Sequence, residues 1–209
     1  NAYRETMNFD LLIKNGTVLD GTGAEKYSAD IGICGERIEA IGDLSQAEAK
    51  QTIDATDKIV CPGFIDAHSH SDAYLLIEPR ASSKIFQGIT TEVCGNCGAS
   101  VAPRLGGAQL PSDWEDKPFP GTWRTVAEYR TLFDQVKPAL NEVLLIGHNT
   151  LHRGISGYEP RGATPDELKN MCTALEQALD EGGRGLSTGL IYPPASAVPQ
   201  EEIIALAKI

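Results

Sequence analysis

Two histidines stand one residue apart, directly after a short apolar stretch, in the segment "PGFIDAHSHSD" at residues 62–72. If this segment is a strand, the side chains of His68 and His70 lie on one face, and Asp66 lies on that face too. Neutral imidazole is a common zinc ligand, and a nearby carboxylate often orients such a ligand. The spacing therefore predicts a metal site at the two histidines, oriented by Asp66. The alternative is a pair of ordinary surface histidines.

A third metal donor is predicted in the segment "VCGNCGAS", which contains Cys94 and Cys97. Two cysteines at this spacing also occur in redox centres and in zinc ribbons. A ribbon needs a second cysteine pair, which the sequence does not contain. A redox pair opens a helix, whereas a loop is expected after Cys97. Because thiolate suits zinc, we expect Cys97 to be a ligand beside the histidines and Cys94 to be buried.

Two further side chains are candidates for contact with a substrate. His148 follows a predicted buried strand in "LLIGHNTLHR". It contacts either substrate or metal, or else it is a hydrogen-bonded structural histidine, while His152 is expected on a loop surface. Tyr192 precedes two prolines in "GLSTGLIYPP". Its phenol is suited to bind a substrate carboxylate or to polarise a carbonyl, and the alternative is packing against the loop.

The elements that must position these residues change in type near residue 62. Residues 9–60 contain short apolar runs separated by close turns, which predict strands, with a hairpin turn at Asn15-Gly16 and another turn at Gly35-Glu36. Strands this short and this closely spaced predict a small antiparallel sheet or a sandwich.

From residue 62 onward, apolar strand-like runs alternate with helical segments, which predicts a parallel sheet covered by helices. The clearest helix is "ATPDELKNMCTALEQALDEGG", where Thr164 and Glu167 have the spacing of a capping box. Residues 102–121 are rich in proline and glycine and predict a long loop. About four β-α units are present, whereas a closed barrel needs eight. The predicted fold is therefore half of a (β/α)8 barrel.

We thus predict an α/β protein with two domains. Residues 1–61 form a small β domain, a sheet or a sandwich, and residues 62–209 form the N-terminal half of a TIM-type barrel. The last segment, "PQEEIIALAKI", has the pattern of a helix that stops without a cap. We therefore expect the chain to be a truncated part of a longer protein.

The composition argues against two classes of partner. The formal net charge is −11 over 209 residues and the chain contains no basic run, so neither nucleic acid nor an anionic membrane surface is expected. No apolar stretch reaches the roughly 18 residues that a membrane helix needs. The five cysteines do not have the spacing of a secreted disulfide framework. A cytoplasmic location is therefore predicted, and the alternative is a protein whose signal peptide has been removed.

Taken together, several segments resemble a known family. They are "DGTG", "PGFIDAHSHSD", "GNCGAS", "GHNTL", "ATPDEL" and "GLSTGLIYPP". They are similar to segments in the N-terminal half of the N-acyl-D-amino-acid deacylases, or D-aminoacylases, which belong to the amidohydrolase superfamily. The resemblance covers nearly the whole chain. The sequence departs from the family at His152, where an arginine is expected.

The resemblance implies a zinc-dependent hydrolase with a (β/α)8 barrel and a small β-sandwich built from both chain ends, with residues 1–61 as the N-terminal part of that sandwich domain. It implies that His68, His70 and Cys97 are metal ligands for one or two zinc ions, with Cys97 in the place of a carboxylated lysine or a glutamate of related hydrolases. Tyr192 matches a family tyrosine near the substrate. The general-base aspartate and the remaining metal histidines are expected beyond Ile209. The implied substrate is a small N-acyl-D-amino acid, cleaved at its linear amide.

Two alternatives remain beside this interpretation. Another amidohydrolase, similar to dihydroorotase or hydantoinase, acts on cyclic amides and uses a bridging lysine that "GLSTGLIY" does not contain. The other alternative is an inactive metal-binding module, and we expect the 209-residue chain alone to be inactive because its ligand set is incomplete. An exposed half-barrel edge predicts pairing with a second copy, as a homo-oligomer, or with a fragment that carries the second half.

Overall fold

A computed structural model of the chain describes residues 8–106, 110 and 117–209. The chain has mixed α and β structure and divides into two compact units, of which the first ends at Pro62 and the second runs from Gly63 to Ile209. Among the described residues, α-helices occur only in the second unit.

The strands of the first unit form a mixed β-sheet. They are β1 (Asn8–Val18), β2 (Tyr27–Cys34), β3 (Arg37–Gly42), β4 (Glu48–Asp54) and β5 (Ile59–Val60). β2 is antiparallel to β1 and to β3, whereas β4 and β5 both lie parallel to β1. The prediction of an antiparallel sheet is therefore wrong for β4 and β5. Short alternating strands occur in both kinds of pairing, and the path of the connecting chain decides between them.

Asn15-Gly16 forms a β-bulge and not the predicted hairpin turn. β1 continues through both residues, and its register against β2 shifts between Ile13 and Gly16. Asn15 has a φ of 63°, and its backbone amide donates a hydrogen bond of 2.8 Å to Oδ1 of Asp30. The left-handed conformation that favours Asn-Gly in hairpin turns also suits a bulge. The predicted turn at Gly35-Glu36, between β2 and β3, is confirmed.

Parallel strands of the second unit carry the candidate site. They are β6 (Phe64–Asp66), β7 (Ile89–Cys94) and β8 (Asn141–Leu144), with a second parallel pair formed by β9 (Ile146–Gly147) and β10 (Leu186–Ser187). The predicted strand in "GLSTGLIY" is thus only two residues long. Because parallel strands end at the same edge of a sheet, the loops that follow β6 and β7 emerge side by side.

Within its described residues, the second unit contains α-helices at both segments where the sequence predicts them, residues 163–183 and 199–209, with one exception to the predicted pattern. The α-helices of this unit are α1 (Ser82–Ile85), α2 (Val126–Val136), α3 (His148–Ser156), α4 (Pro165–Asp180) and α5 (Gln200–Leu206). The capping box of α4 is confirmed, since Thr164 Oγ1 accepts from the amide of Glu167 and the Glu167 carboxylate accepts from the amide of Thr164. The exception is α3, because the sequence predicts a loop where this helix begins.

The predicted long loop at residues 102–121 contains no helix or strand where the structure describes it, at 102–106, 110 and 117–121. Residues 107–109 and 111–116 of that loop lie outside the described residues. In the ranges that are described, none of the helices is long and apolar enough to cross a membrane.

Apolar side chains of α4 form much of the core of the second unit. Met171, Leu175 and Ala178 are buried at helical spacing, and they belong to one cluster with Ile146 of β9 and Leu206 of α5. Complete burial of a side chain of this size contributes about 1.5–3 kcal/mol. The core therefore ties α4 and α5 to β9.

We predict that Leu175→Ala lowers the free energy of unfolding by about 2–5 kcal/mol, because it leaves a cavity in the core. Urea unfolding followed by circular dichroism measures the loss. Glu176→Ala lies on the exposed face of the same helix and, as the control, should change stability by less than about 0.5 kcal/mol. Equal losses in the two variants would contradict the buried face assigned to α4.

Candidate metal centre

His68, His70 and Cys97 converge at the end of the parallel strands. The Nε2 atom of His68 lies 3.3 Å from Sγ of Cys97, and the ring centroids of the two histidines are 5.3 Å apart. The three donor atoms all lie within 4.8 Å of one another. Both histidines are exposed and Cys97 is partly exposed, so the donors face open space. This arrangement is the one that the sequence predicts for a metal site.

A tight turn after β7 aims the thiol of Cys97 at the histidines. Cys97 has a φ of 55°, in the left-handed region that few side chains adopt. Gly95 has a φ of 74°, and a Cβ there would lie only 2.0 Å from the carbonyl oxygen of Leu145. The side-chain amide of Asn96 donates to the carbonyl of Val93 at 2.7 Å and to that of Ser69 at 3.2 Å. The turn is therefore tied both to its own strand and to the histidine segment.

β10 and the segment that follows it support the same turn from the other side. Ser187 Oγ accepts from the amide of Gly98 at 3.1 Å and donates to the carbonyl of Gly95. A Cβ on Gly189 would lie 2.0 Å from the carbonyl oxygen of Cys97 and 3.1 Å from Cδ2 of Tyr192. Tyr192, which is 51% exposed, thus lies beside Gly189, which in turn lies against the backbone of Cys97. This position is compatible with the predicted contact between Tyr192 and a substrate.

Asp66 orients the histidine segment through the backbone. Its Oδ1 accepts a hydrogen bond of 3.2 Å from the amide of His68, and its Oδ2 accepts from Nζ of Lys84. The hydrogen bond from Lys84, with a smaller contribution from the His68 amide, lowers the pKa of Asp66 below its ordinary value. Asp66 therefore contacts the backbone of His68, whereas the sequence places it on the same face as the two rings.

Sequence reasoning missed Lys84 and Glu92 as neighbours of the histidines. Glu92 is fully buried on β7, and its carboxylate accepts hydrogen bonds from Ser69 and Ser71, which flank His70. Nζ of Lys84 lies 3.2 Å from Oε2 of Glu92. The only signal in the sequence is a glutamate inside the otherwise uncharged strand "ITTEVC". A buried carboxylate needs such partners, because removing it from water is costly.

His148 and His152 form a separate buried cluster with Glu202. Both rings are fully buried, and Oε1 of Glu202 lies 2.8 Å from Nε2 of His148 and 2.8 Å from Nδ1 of His152. The prediction of a surface position for His152 is wrong, because α3 turns that residue inward. For His148, this geometry matches the structural alternative, a hydrogen-bonded histidine.

The Glu202 cluster has the geometry of hydrogen bonds. Although its three donor atoms also lie within 4.8 Å of one another, separations of 2.8 Å are those of ring N–H groups donating to a carboxylate. Oε2 of Glu202 accepts a further bond of 2.8 Å from the amide of Ala163. Burial raises the pKa of Glu202, but the bonds from the two histidines outweigh it and hold that pKa at about 2.

We predict that Glu202→Gln destabilises the fold more at neutral pH than in acid. The folded pKa of about 2 lies below the ordinary 4.5, so the contribution of the carboxylate is complete above pH 4.5 and declines as the pH falls toward 2. The stability difference from wild type should shrink by about 2 kcal/mol between pH 7 and pH 3. Urea unfolding at both values measures this, with the exposed Glu201→Gln as control. A difference independent of pH would contradict the ionised, hydrogen-bonded carboxylate.

Comparison with known proteins agrees with this geometry. The amidohydrolase family matches residues 51–201 of the chain. The chain is 40% identical to the D-aminoacylase of Alcaligenes xylosoxydans xylosoxydans, in an alignment that covers 99% of this chain and 43% of that protein.

Two solved structures are similar over almost the whole chain. A crystal structure of D-aminoacylase matches with a TM-score of 0.88 at 42% identity, and the match covers 96% of this chain and 42% of that one. The N-acyl-D-glutamate deacylase of Bordetella bronchiseptica, complexed with zinc and a phosphonate inhibitor, matches with a TM-score of 0.87 at 36% identity, covering 97% and 43%. The chain thus spans less than half the length of these relatives, and by its sequence and its fold it belongs to the amidohydrolase family.

Proposed function

We propose that the enzyme to which this chain contributes hydrolyses the linear amide of N-acyl-D-amino acids, giving a carboxylate and a free D-amino acid. The observation that carries the proposal is the convergence of His68, His70 and Cys97 at the ends of β6 and β7. Relatives named D-aminoacylase and N-acyl-D-glutamate deacylase support the substrate class. The preference for the D enantiomer rests on those relatives.

The donor set fits zinc. Two imidazoles and a thiolate are ligands that zinc prefers. Donors about 2.1 and 2.3 Å from one tetrahedral ion lie about 3.6 Å apart, and Nε2 of His68 lies 3.3 Å from Sγ of Cys97. A small movement of either side chain therefore admits the ion. We propose His68, His70 and Cys97 as protein ligands of one or two zinc ions.

The chemistry that zinc supplies when bound is polarisation of the amide carbonyl and activation of water for attack. The residues of this chain hold and orient the reactants. Asp66 fixes the backbone at His68, and Ser187 fixes the turn that carries Cys97. The exposed phenol of Tyr192 is placed to donate a hydrogen bond to the substrate carboxylate. We propose the general-base aspartate in the part of the enzyme beyond Ile209.

The proposed architecture follows from the same relatives. Residues 1–61 contribute the N-terminal part of a small β-sandwich, and residues 62–209 contribute the N-terminal half of a (β/α)8 barrel. Because the chain covers 43% of the D-aminoacylase that it matches, we propose that the 209 residues alone are inactive. Activity then requires the remaining half, joined in one chain or supplied by a partner. We propose a cytoplasmic location, because the spacing of the five cysteines is not that of a secreted disulfide framework.

The cyclic-amide alternative has less support. It requires a bridging lysine, and neither β10 nor the segment that follows it to Tyr192 contains one. We propose the thiol of Cys97, whose Sγ lies 3.3 Å from Nε2 of His68, as the substitute for such a bridging group. A linear amide therefore remains the proposed substrate.

We predict that Cys97→Ser abolishes the thiolate-to-metal charge-transfer absorption of the Co²⁺-substituted protein and weakens metal binding at this position. The physical reason is that a serine hydroxyl is a much poorer ligand than a thiolate. Absorption spectroscopy during Co²⁺ titration of the full-length protein measures both effects. Cys61→Ser removes an exposed thiol and should leave the band unchanged. If the band survives in Cys97→Ser, Cys97 is not a ligand.

We predict that Tyr192→Phe in the full-length, zinc-loaded protein lowers kcat/KM for N-acetyl-D-amino acids by about 10–100-fold, the loss expected for one hydrogen bond to a charged group. Assays of amine release with D and L substrates and with a hydantoin measure this, and Tyr27→Phe in the first unit is the matched control. Hydrolysis of the hydantoin but not of the linear amides would reassign the protein to the cyclic amidases. Hydrolysis of none of them would overturn the proposed function.

A further inference from the structure

Serines and histidines alternate in the segment that carries the proposed metal ligands. His68 and His70 are exposed, whereas Ser69 is buried and Ser71 is partly buried. The imidazoles therefore face solvent, and the hydroxyls face the interior of the second unit. Whatever holds the hydroxyls also sets the direction of the rings.

The hydroxyls are held by the carboxylate of Glu92. Ser71 Oγ donates to Oε2 of Glu92 at 2.8 Å and lies 3.0 Å from Oε1, and Ser69 Oγ lies 3.2 Å from Oε2. The hydroxyls of Ser69 and Ser71 are themselves 2.6 Å apart. One buried carboxylate thus fixes both of the residues that flank His70.

Lys84 completes the network from α1. Its ammonium contacts the carboxylates of Asp66 and Glu92, and it lies 3.2 Å from Ser69 Oγ. Asp66 in turn accepts from the amide of His68. Charge-assisted hydrogen bonds of this kind are about twice as strong as neutral ones. The network therefore holds the histidine segment at its backbone and at its alternate side chains.

Glu92 also belongs to the strand that leads to Cys97. The backbone of that strand accepts from the amide of Ser69 through the carbonyl of Val93, at 2.9 Å. Glu92, which lies on β7 and bonds to the histidine segment, therefore fixes the distance between the two histidines and the thiol of Cys97. A metal ion requires that its ligands lie within narrow limits of distance.

We infer that Glu92 is a positioning residue of the proposed metal centre: through Ser69 and Ser71 it orients His68 and His70 toward Cys97. It touches neither the metal nor the substrate. This inference rests on the proposed function, because it presupposes that the three donors bind a metal ion. Partners of this kind behind metal ligands typically change metal affinity by about 10–100-fold when they are replaced.

Glu142 is a matched control within the same sheet. It lies directly beside Glu92 in the parallel pairing of β7 with β8, but its carboxylate accepts from Tyr129 at 2.7 Å. Burial raises the pKa of Glu142 to about 8 and outweighs the hydrogen bond from Tyr129, which lowers that pKa. At pH 7 a glutamine at position 142 therefore resembles the neutral form of Glu142. Glu142→Gln therefore changes a neighbouring carboxyl group that bonds to Tyr129 and not to Ser69 or Ser71, although the Tyr129 hydroxyl also lies 3.0 Å from the carbonyl oxygen of Asp72.

The test is a Co²⁺ titration of the full-length wild-type protein and of Glu92→Gln, Ser71→Ala, their combination and Glu142→Gln. The thiolate-to-Co²⁺ band reports the ion at Cys97, and urea unfolding reports stability. We expect Glu92→Gln to weaken Co²⁺ binding by about 10–100-fold and to alter the ligand-field bands while the thiolate band persists. Ser71→Ala should weaken binding less, and the combined variant should lose less than the sum of the two, because the residues act through one contact.

Several outcomes separate the hypotheses. Unchanged Co²⁺ affinity in Glu92→Gln, with reduced stability, would show a purely structural carboxylate and overturn the inference, as would an equal loss of affinity in Glu142→Gln. If Glu92→Gln does not fold, the Ser69→Ala/Ser71→Ala variant, which keeps the pair between Lys84 and Glu92, must show the loss of affinity. Absence of the thiolate band in wild type would instead overturn the proposed metal centre itself.

Discussion

The parallel pairing of β6, β7 and β8, with one register shift between Phe64 and Ile65, is the constraint on which the candidate site depends. It places Asp66 beside Glu92, and Glu92 beside Glu142. The segment that leaves β6 after Asp66 consequently runs beside the end of β7, where the amide of Ser69 donates to the carbonyl of Val93. Two histidines from one segment and a cysteine from the other therefore meet, with their ligand atoms within 4.8 Å of one another. A shift of one residue would turn every side chain of the moved strand to the opposite face. The register of the strands therefore determines the geometry of the candidate site.

Close backbone packing makes this arrangement specific. Gly95 approaches the backbone of Leu145, and Gly189 approaches that of Cys97, where a Cβ would lie 2.0 Å from a carbonyl oxygen in each case. These contacts hold Cys97 in a left-handed conformation that the residue does not favour by itself. The buried carboxylate of Glu92 has a comparable effect on the histidines. Close packing thus restrains Cys97, and the charged carboxylate of Glu92 restrains His68 and His70.

Local signals explain which elements are predictable from the sequence. The capping box and the apolar stripe of α4 lie within one segment, so the helix is predictable with its first residue and its buried face. The grouping of His68, His70 and Cys97 is predictable because its signals, two histidines at the spacing of a strand and a cysteine at a strand end, each lie within one short segment. The signal at Asn15-Gly16 is ambiguous, since a bulge and a hairpin turn need the same backbone conformation. The direction of β4 and β5 depends on distant pairing with β1, which no local pattern contains.

The sequence by itself determined the donor types, the alternation of the second unit between strand and helix, and the resemblance to D-aminoacylases. The tertiary structure decided what each polar side chain contacts. His152 is adjacent to Glu202 only because α3 and α5 both pack against α4. Lys84 reaches Asp66 and Glu92 only because α1 lies against β7. The physical reason is that a buried polar group requires a partner, and that partner is chosen by packing across tens of residues.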